Sequence, residues 1–205
     1  TLTPSIPWDP TRMMRMITSS QADKRSTAAF TVLELLAVIA IILALAGLIL
    51  PAVSKARTAA RKTAARTEIK QIETAWTHYF AEYQAWPGNV DGTTCYPIAK
   101  DMANLLEGSN VWNNANPKRI SFMHFTRINA VSNPISPWGN RQGASTDDSY
   151  FCRFDADYDN TIPAAPAGGP TNQPPGDVHR SVIVWTVNQD ARTNDADYII
   201  GSWKE

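Results

Sequence analysis

From Phe30 to Val53 the chain carries a single charged side chain, Glu34, in a run otherwise made of Leu, Ile, Val, Ala, Gly, Thr, Phe and Pro. At about 1.5 Å per helical residue such a run covers a hydrocarbon core of about 30 Å. It reads as a membrane helix with one carboxylate where a carboxylate is expensive. The remainder of the 205 residues suffices for one folded domain. Nineteen basic and nineteen acidic residues cancel, so the chain lacks the charge excess of a nucleic-acid binder.

Residues 1–29 form a basic, polar leader with Arg12, Arg15, Lys24 and Arg25, and with Ser19, Ser20, Ser26 and Thr27. A charged leader ahead of an apolar run resembles a secretory signal. Here, however, the small pair Ala28-Ala29 precedes the run instead of following it. Cleavage there removes the leader and leaves the hydrophobic helix on the mature protein; the alternative is an uncleaved single-pass anchor. The first residue is Thr1, so the expected start lies upstream or at Met13, Met14 or Met16.

Within the run, Ala37, Ala40, Ala44 and Gly47 share one helix face, and small residues on one face allow close approach of membrane helices. Pro51 has no amide proton and strands the carbonyl of Gly47, so a weakened or kinked helix is expected there. The helix is nevertheless expected to continue. Residues 52–83 contain no Gly or Pro and are rich in good helix formers. Lys55, Arg57, Arg61, Lys62 and Arg66 are distributed around its first half. Ile69, Ile72, Trp76, Tyr79 and Tyr83 then give its second half an apolar face, with Phe80 beside them. A helix from Phe30 to Tyr83 is roughly 80 Å long.

Trp86-Pro87-Gly88-Asn89 marks the stop. Beyond it the pattern predicts a short helix over 101–106 and strands over 120–125, 150–154, 181–187 and 198–203, with a Pro- and Gly-rich loop at 162–176. The expected organisation is a leader (1–29), a transmembrane and assembly helix (30–53), a continuation of that helix (54–86) and a β-rich head (87–205). The class is α+β, with the C-terminal half of the long helix packed on a small antiparallel sheet. Topology is not legible from charge, because both flanks of the run are basic and the C-terminal one more so.

Ala29-Phe30-Thr31-Val32-Leu33-Glu34-Leu35-Leu36, the basic leader before it and Pro51 in the same helix resemble the signature of type IV pilins and type II secretion pseudopilins. Pro137-Trp138-Gly139-Asn140 is similar to a turn of the major pseudopilins. Val184 to Asp190, then Asp195 to Ile199 and Trp203, resembles their last strands and the acidic loop between them. The resemblance implies cutting by a prepilin peptidase between Ala29 and Phe30 and N-methylation of Phe30. The family usually has glycine before the cut, and here the small residue is Ala29. It also implies a bacterial inner-membrane protein with a single pass, its leader cytoplasmic and its head extracytoplasmic. Its partners would be the membrane, the peptidase and copies of itself or related subunits in a helical fibre.

Glu34 has two roles open to it. Thr31-x-x-Glu34 is a capping-box pattern, which satisfies amides at a helix start. Under the resemblance, Glu34 pairs instead with the cationic amino group of Phe30 on a neighbouring subunit, a group that only cleavage creates. Pro51 is the second assembly residue. In the head, Asp190, Asp195 and Asp197 lie where major pseudopilins bind calcium, an ion that takes six to eight oxygens. Asp155, Asp157 and Asp159 form a second acidic group. They look like the start of an EF-hand, but the twelfth position is Pro166, not Glu. For both groups the plain alternative is ordinary turn chemistry. Cys95 and Cys152 allow one disulfide in an exported head. His78, His124 and His179 are scattered and no nucleophile motif is present, so no catalysis is expected. The expected function is a structural subunit of a secretion pseudopilus or pilus-like fibre. The alternative is a monomeric, membrane-anchored extracytoplasmic binding module.

Overall fold

The computed structural model of the chain describes residues 31–88, 90–110, 112, 114–143, 148–164, 176–192, 195 and 198–204. It divides into two units between Leu48 and Ile49. One helix, α1 (Val32–Tyr83), runs for 52 residues with Pro51 inside it. In the first unit this helix has no buried face. Leu33 is 80% exposed and Leu48 75%, far more contiguous apolar surface than a water-soluble domain shows. The helix is long and apolar enough to cross a membrane.

The second unit contains the rest of α1 and the head. Beyond α1 come β1 (Tyr96–Pro97), α2 (Lys100–Leu106), β2 (Phe151–Phe154), β3 (Val182–Val187) and β4 (Ile199–Gly201). The four strands form one antiparallel sheet in the order β1-β2-β3-β4. Successive strand residues point to opposite faces, and both faces are covered. On one, Cys152, Phe154, Val182, Val184 and Ile200 meet Ile69, Ile72, Trp76 and Tyr79 of α1, and Met102, Leu105 and Leu106 of α2. On the other, Ile183 and Trp185 pack with Ile162, flanked by Phe151, Val178, Ile199 and Trp203. Two-sided burial explains why β3 reads as a continuous apolar run and does not alternate.

The buried positions of α1 begin at Ala65 and follow the expected face through Ile69, Ile72, Trp76 and Tyr79, whereas Tyr83 is half-buried. Trp76 meets Phe154 edge-on at 5.0 Å and Tyr79 at 5.7 Å between ring centroids. Two acidic side chains on α1 add polar ties. Glu73, nearly buried, pairs with Arg180 at 2.7 Å just before β3. Glu68 pairs with Arg127 at 3.0 Å and accepts the Tyr150 hydroxyl. Burial, then the Glu68 charge, pushes that phenol far above the ordinary tyrosine range.

Two expectations are corrected. Residues 120–125 form no strand. The N–H groups of Phe122 and Met123 both donate to the Leu106 carbonyl, at 2.8 and 3.2 Å. Phe125 N–H donates to Glu107 Oε1 at 2.8 Å, and the Asn116 side chain bonds Ile120 on both backbone groups. With its bonds taken by the end of α2 and by side chains, the segment keeps its apolar residues for packing. Phe122, for example, meets Tyr79 edge-on at 5.5 Å. Nor are Cys95 and Cys152 bridged; both are free. Tyr96 is the Cα partner of Cys152, which places Cys95, one residue earlier, toward the other face of the sheet. Cys152 packs with the Trp76 cluster and Cys95 against the Trp185 cluster.

Candidate functional site

At the start of α1, Glu34 closes a reciprocal cap. Thr31 donates to Glu34 Oε2 from its backbone N–H and from its hydroxyl, both at 2.9 Å, while Glu34 N–H donates to Thr31 Oγ1 at 3.2 Å. These contacts satisfy amides that a helix start leaves open. They also gather on one oxygen. Oε1 has no hydrogen-bond partner among the described residues, and the side chain is exposed. The cap and an external cation are therefore compatible on the same carboxylate. Ala29 and Phe30 lie outside the described residues. Pro51 sits within the continuous helix, and Gly47 has open space around it, with nothing within 4 Å of where a Cβ would lie.

In the head, the two acidic groups behave differently. Asp190 is already engaged. Arg61 Nη1 lies 3.3 Å from both its carboxylate oxygens, and Trp138 Nε1 donates to Oδ2 at 2.8 Å. Its own N–H donates to Asn188 Oδ1 at 3.1 Å. Asp195 Oδ2 accepts the Arg192 N–H at 2.9 Å, and Asp197 lies outside the described residues. Among the described residues, the carboxylates that converge are Asp155, Asp157 and Asp159. Their oxygens fall within 4.8 Å of one another.

A tight turn builds that convergence, with Tyr158 and Asn160 at φ of 63°. Asp155 holds the turn by accepting N–H bonds from Asp159 at 3.2 Å and Asn160 at 2.8 Å. Its carbonyl accepts the buried Trp86 indole N–H at 2.7 Å, which fixes the loop to the chain just beyond α1. Burial raises the Asp155 carboxyl above the ordinary range; the Asn160 N–H works against this, and Asp157 and Asp159 add to the rise. A divalent cation would offset the Asp159 charge that contributes to this rise. These three aspartates are the described residues whose converging carboxylates suit a hard ion.

Nothing in the chain's local pattern announces the Arg61–Asp190–Trp138 junction, because Arg61 and Asp190 are 129 residues apart. The fold brings them together by laying α1 against the sheet whose β3 leads to Asp190. Gly139, following Trp138, has a reason to be glycine. A Cβ there would stand 2.6 Å from the Ile135 Cβ and 3.1 Å from the Asp148 Cβ. The turn continues into Asn140, whose N–H donates to Asp148 Oδ2 at 3.0 Å.

Comparisons with family models, with curated proteins and with solved structures return no match for this chain.

Proposed function

We propose that this chain is a structural subunit of a membrane-rooted, pilus-like or pseudopilus fibre. In this reading α1 is both anchor and assembly element, and the head decorates the fibre surface. The observation that carries the proposal is the exposed apolar part of α1, opened by a carboxylate that caps its own helix through one oxygen and, among the described residues, leaves the other open. A carboxylate in lipid needs a cationic partner. The amino group produced by a cut between Ala29 and Phe30 is such a partner, contributed by a neighbouring copy.

The deciding experiment is mass spectrometry of the mature N-terminus after expression beside a prepilin peptidase. The expected product begins at N-methylated Phe30. Recovery of an intact leader, with the protein monomeric in the membrane, would instead support the anchored binding module.

For a metal, the proposal places calcium at Asp155, Asp157 and Asp159 and not at Asp190, which already carries Arg61 and Trp138. Calcium at about a hundred times its Kd should stabilise the head by about 2.7 kcal/mol. The gain should vanish in Asp157→Ala/Asp159→Ala, and also at a pH low enough to protonate the carboxyls. Thermal unfolding with and without calcium reads this out, and an unchanged midpoint in the parent chain removes the ion from the proposal.

A further inference from the structure

We propose that Lys55 and Arg57 bind the phosphate headgroups of anionic phospholipids in the leaflet that α1 leaves. This rests on the reading of α1 as a membrane anchor. The chain has no carboxylate between Glu34 and Glu68, yet it places five basic residues from Lys55 to Arg66. Arg61 has its counter-charge in Asp190. Lys55 and Arg57 have none among the described residues, and both are exposed.

The head does not cover this turn of helix either. From Ala52 to Arg61 every side chain but Thr58 is exposed, and the buried face of α1 starts only at Ala65. Position supplies the partner. Lys55 and Arg57 follow Val53 by two and four residues, about 3 and 6 Å along the axis. The headgroup layer is about 5–7 Å deep on each side of the hydrocarbon. Long basic side chains reach phosphates from there while their stems stay on the apolar side. Basic residues beside a membrane helix gain from an anionic surface wherever they meet one. Such a gain offsets the disadvantage of positive charge on an exported flank, which the loop-charge rule disfavours.

The test uses the full chain reconstituted in nanodiscs of phosphatidylcholine containing a minority of phosphatidylglycerol. Native mass spectrometry then counts the lipids retained on the released protein, for the parent chain and for Lys55→Gln/Arg57→Gln. At about fivefold for each basic residue near the surface, the parent should retain phosphatidylglycerol at least about fivefold above its input ratio. The variant, which keeps the basic leader, Lys62 and Arg66, should retain at least about fivefold less phosphatidylglycerol than the parent, and high salt should reduce the parent's preference. Equal enrichment in parent and variant, or none in the parent, overturns the lipid assignment while leaving the anchor intact. If the variant instead loses oligomers with its lipid ratio unchanged, the two cations belong to a subunit interface and the assignment is likewise overturned. A chain that never enters the nanodisc overturns the anchor reading itself.

Discussion

Glu34→Leu should insert into the membrane as well as the parent chain and yet form no fibre. Replacing the only charge in the apolar run makes insertion easier, since a carboxylate is costly in hydrocarbon and leucine is favourable there. The variant loses the half of the cap that the Glu34 carboxylate supplies, while the N–H at position 34 still donates to Thr31 Oγ1. Even losing an N-cap outright costs only about 0.5–2 kcal/mol, too little to unseat a helix held by an apolar stretch this long. Assembly is different, because the proposed ion pair forms in a medium where each charge without its partner is strongly disfavoured. Glu34→Gln separates the two roles. Glutamine serves the reciprocal cap as glutamate does, so the bonds with Thr31 survive, but the charge is gone. Fibres counted by electron microscopy against protein in the membrane fraction should fall to background in both variants. If Glu34→Gln assembles like the parent, the cap is the whole role of this residue and the ion-pair reading is wrong.

Much of the architecture was legible because it is written in local periodicity. The long helix, its apolar face from Ile69 to Tyr79 and the β3 strand all follow from spacing within a few turns or a few strand residues. Residues 120–125 show where such reading stops. Their composition suits a strand, but a strand also needs a free edge, and here the Leu106 carbonyl, Glu107 and Asn116 take the backbone bonds first. The cysteines failed for a related reason. Count and compartment permit a bridge, while only the register, with Tyr96 opposite Cys152, shows Cys95 and Cys152 directed toward opposite faces. The acidic loops were legible as loops, but not which of them gathers its carboxylates. Sequence cannot tell that Asp190 is met by Arg61 and Trp138, nor that a turn with two left-handed residues, Tyr158 and Asn160, gathers Asp155, Asp157 and Asp159. The pairing that engages Asp190 spans 129 residues, and the Trp86 bond that fixes the turn at Asp155 spans 69; contacts so distant have no local signature.

The largest loss of stability is expected at Trp76. It is fully buried between α1 and the sheet, edge-on to Phe154 and Tyr79. Trp76→Ala should cost about 3–5 kcal/mol through lost burial and the cavity left behind. Domains of this kind are stable by only about 5–15 kcal/mol, so a large share of the head's stability goes. Trp76→Phe should cost much less. The Trp76 indole N–H is buried without a partner among the described residues, and an orphaned donor carries a penalty of about 1–3 kcal/mol. Phenylalanine removes that donor along with part of the ring, so the two effects oppose each other. Urea unfolding of the full chain in detergent, followed by near-ultraviolet circular dichroism, gives both values. Membrane insertion should be untouched in either variant, since the buried positions of α1 begin only at Ala65, beyond the apolar run. A cost near or below about 1 kcal/mol for Trp76→Ala would place the site among ordinary partly exposed positions. It would then show that the contact between α1 and the sheet is not what holds the head together.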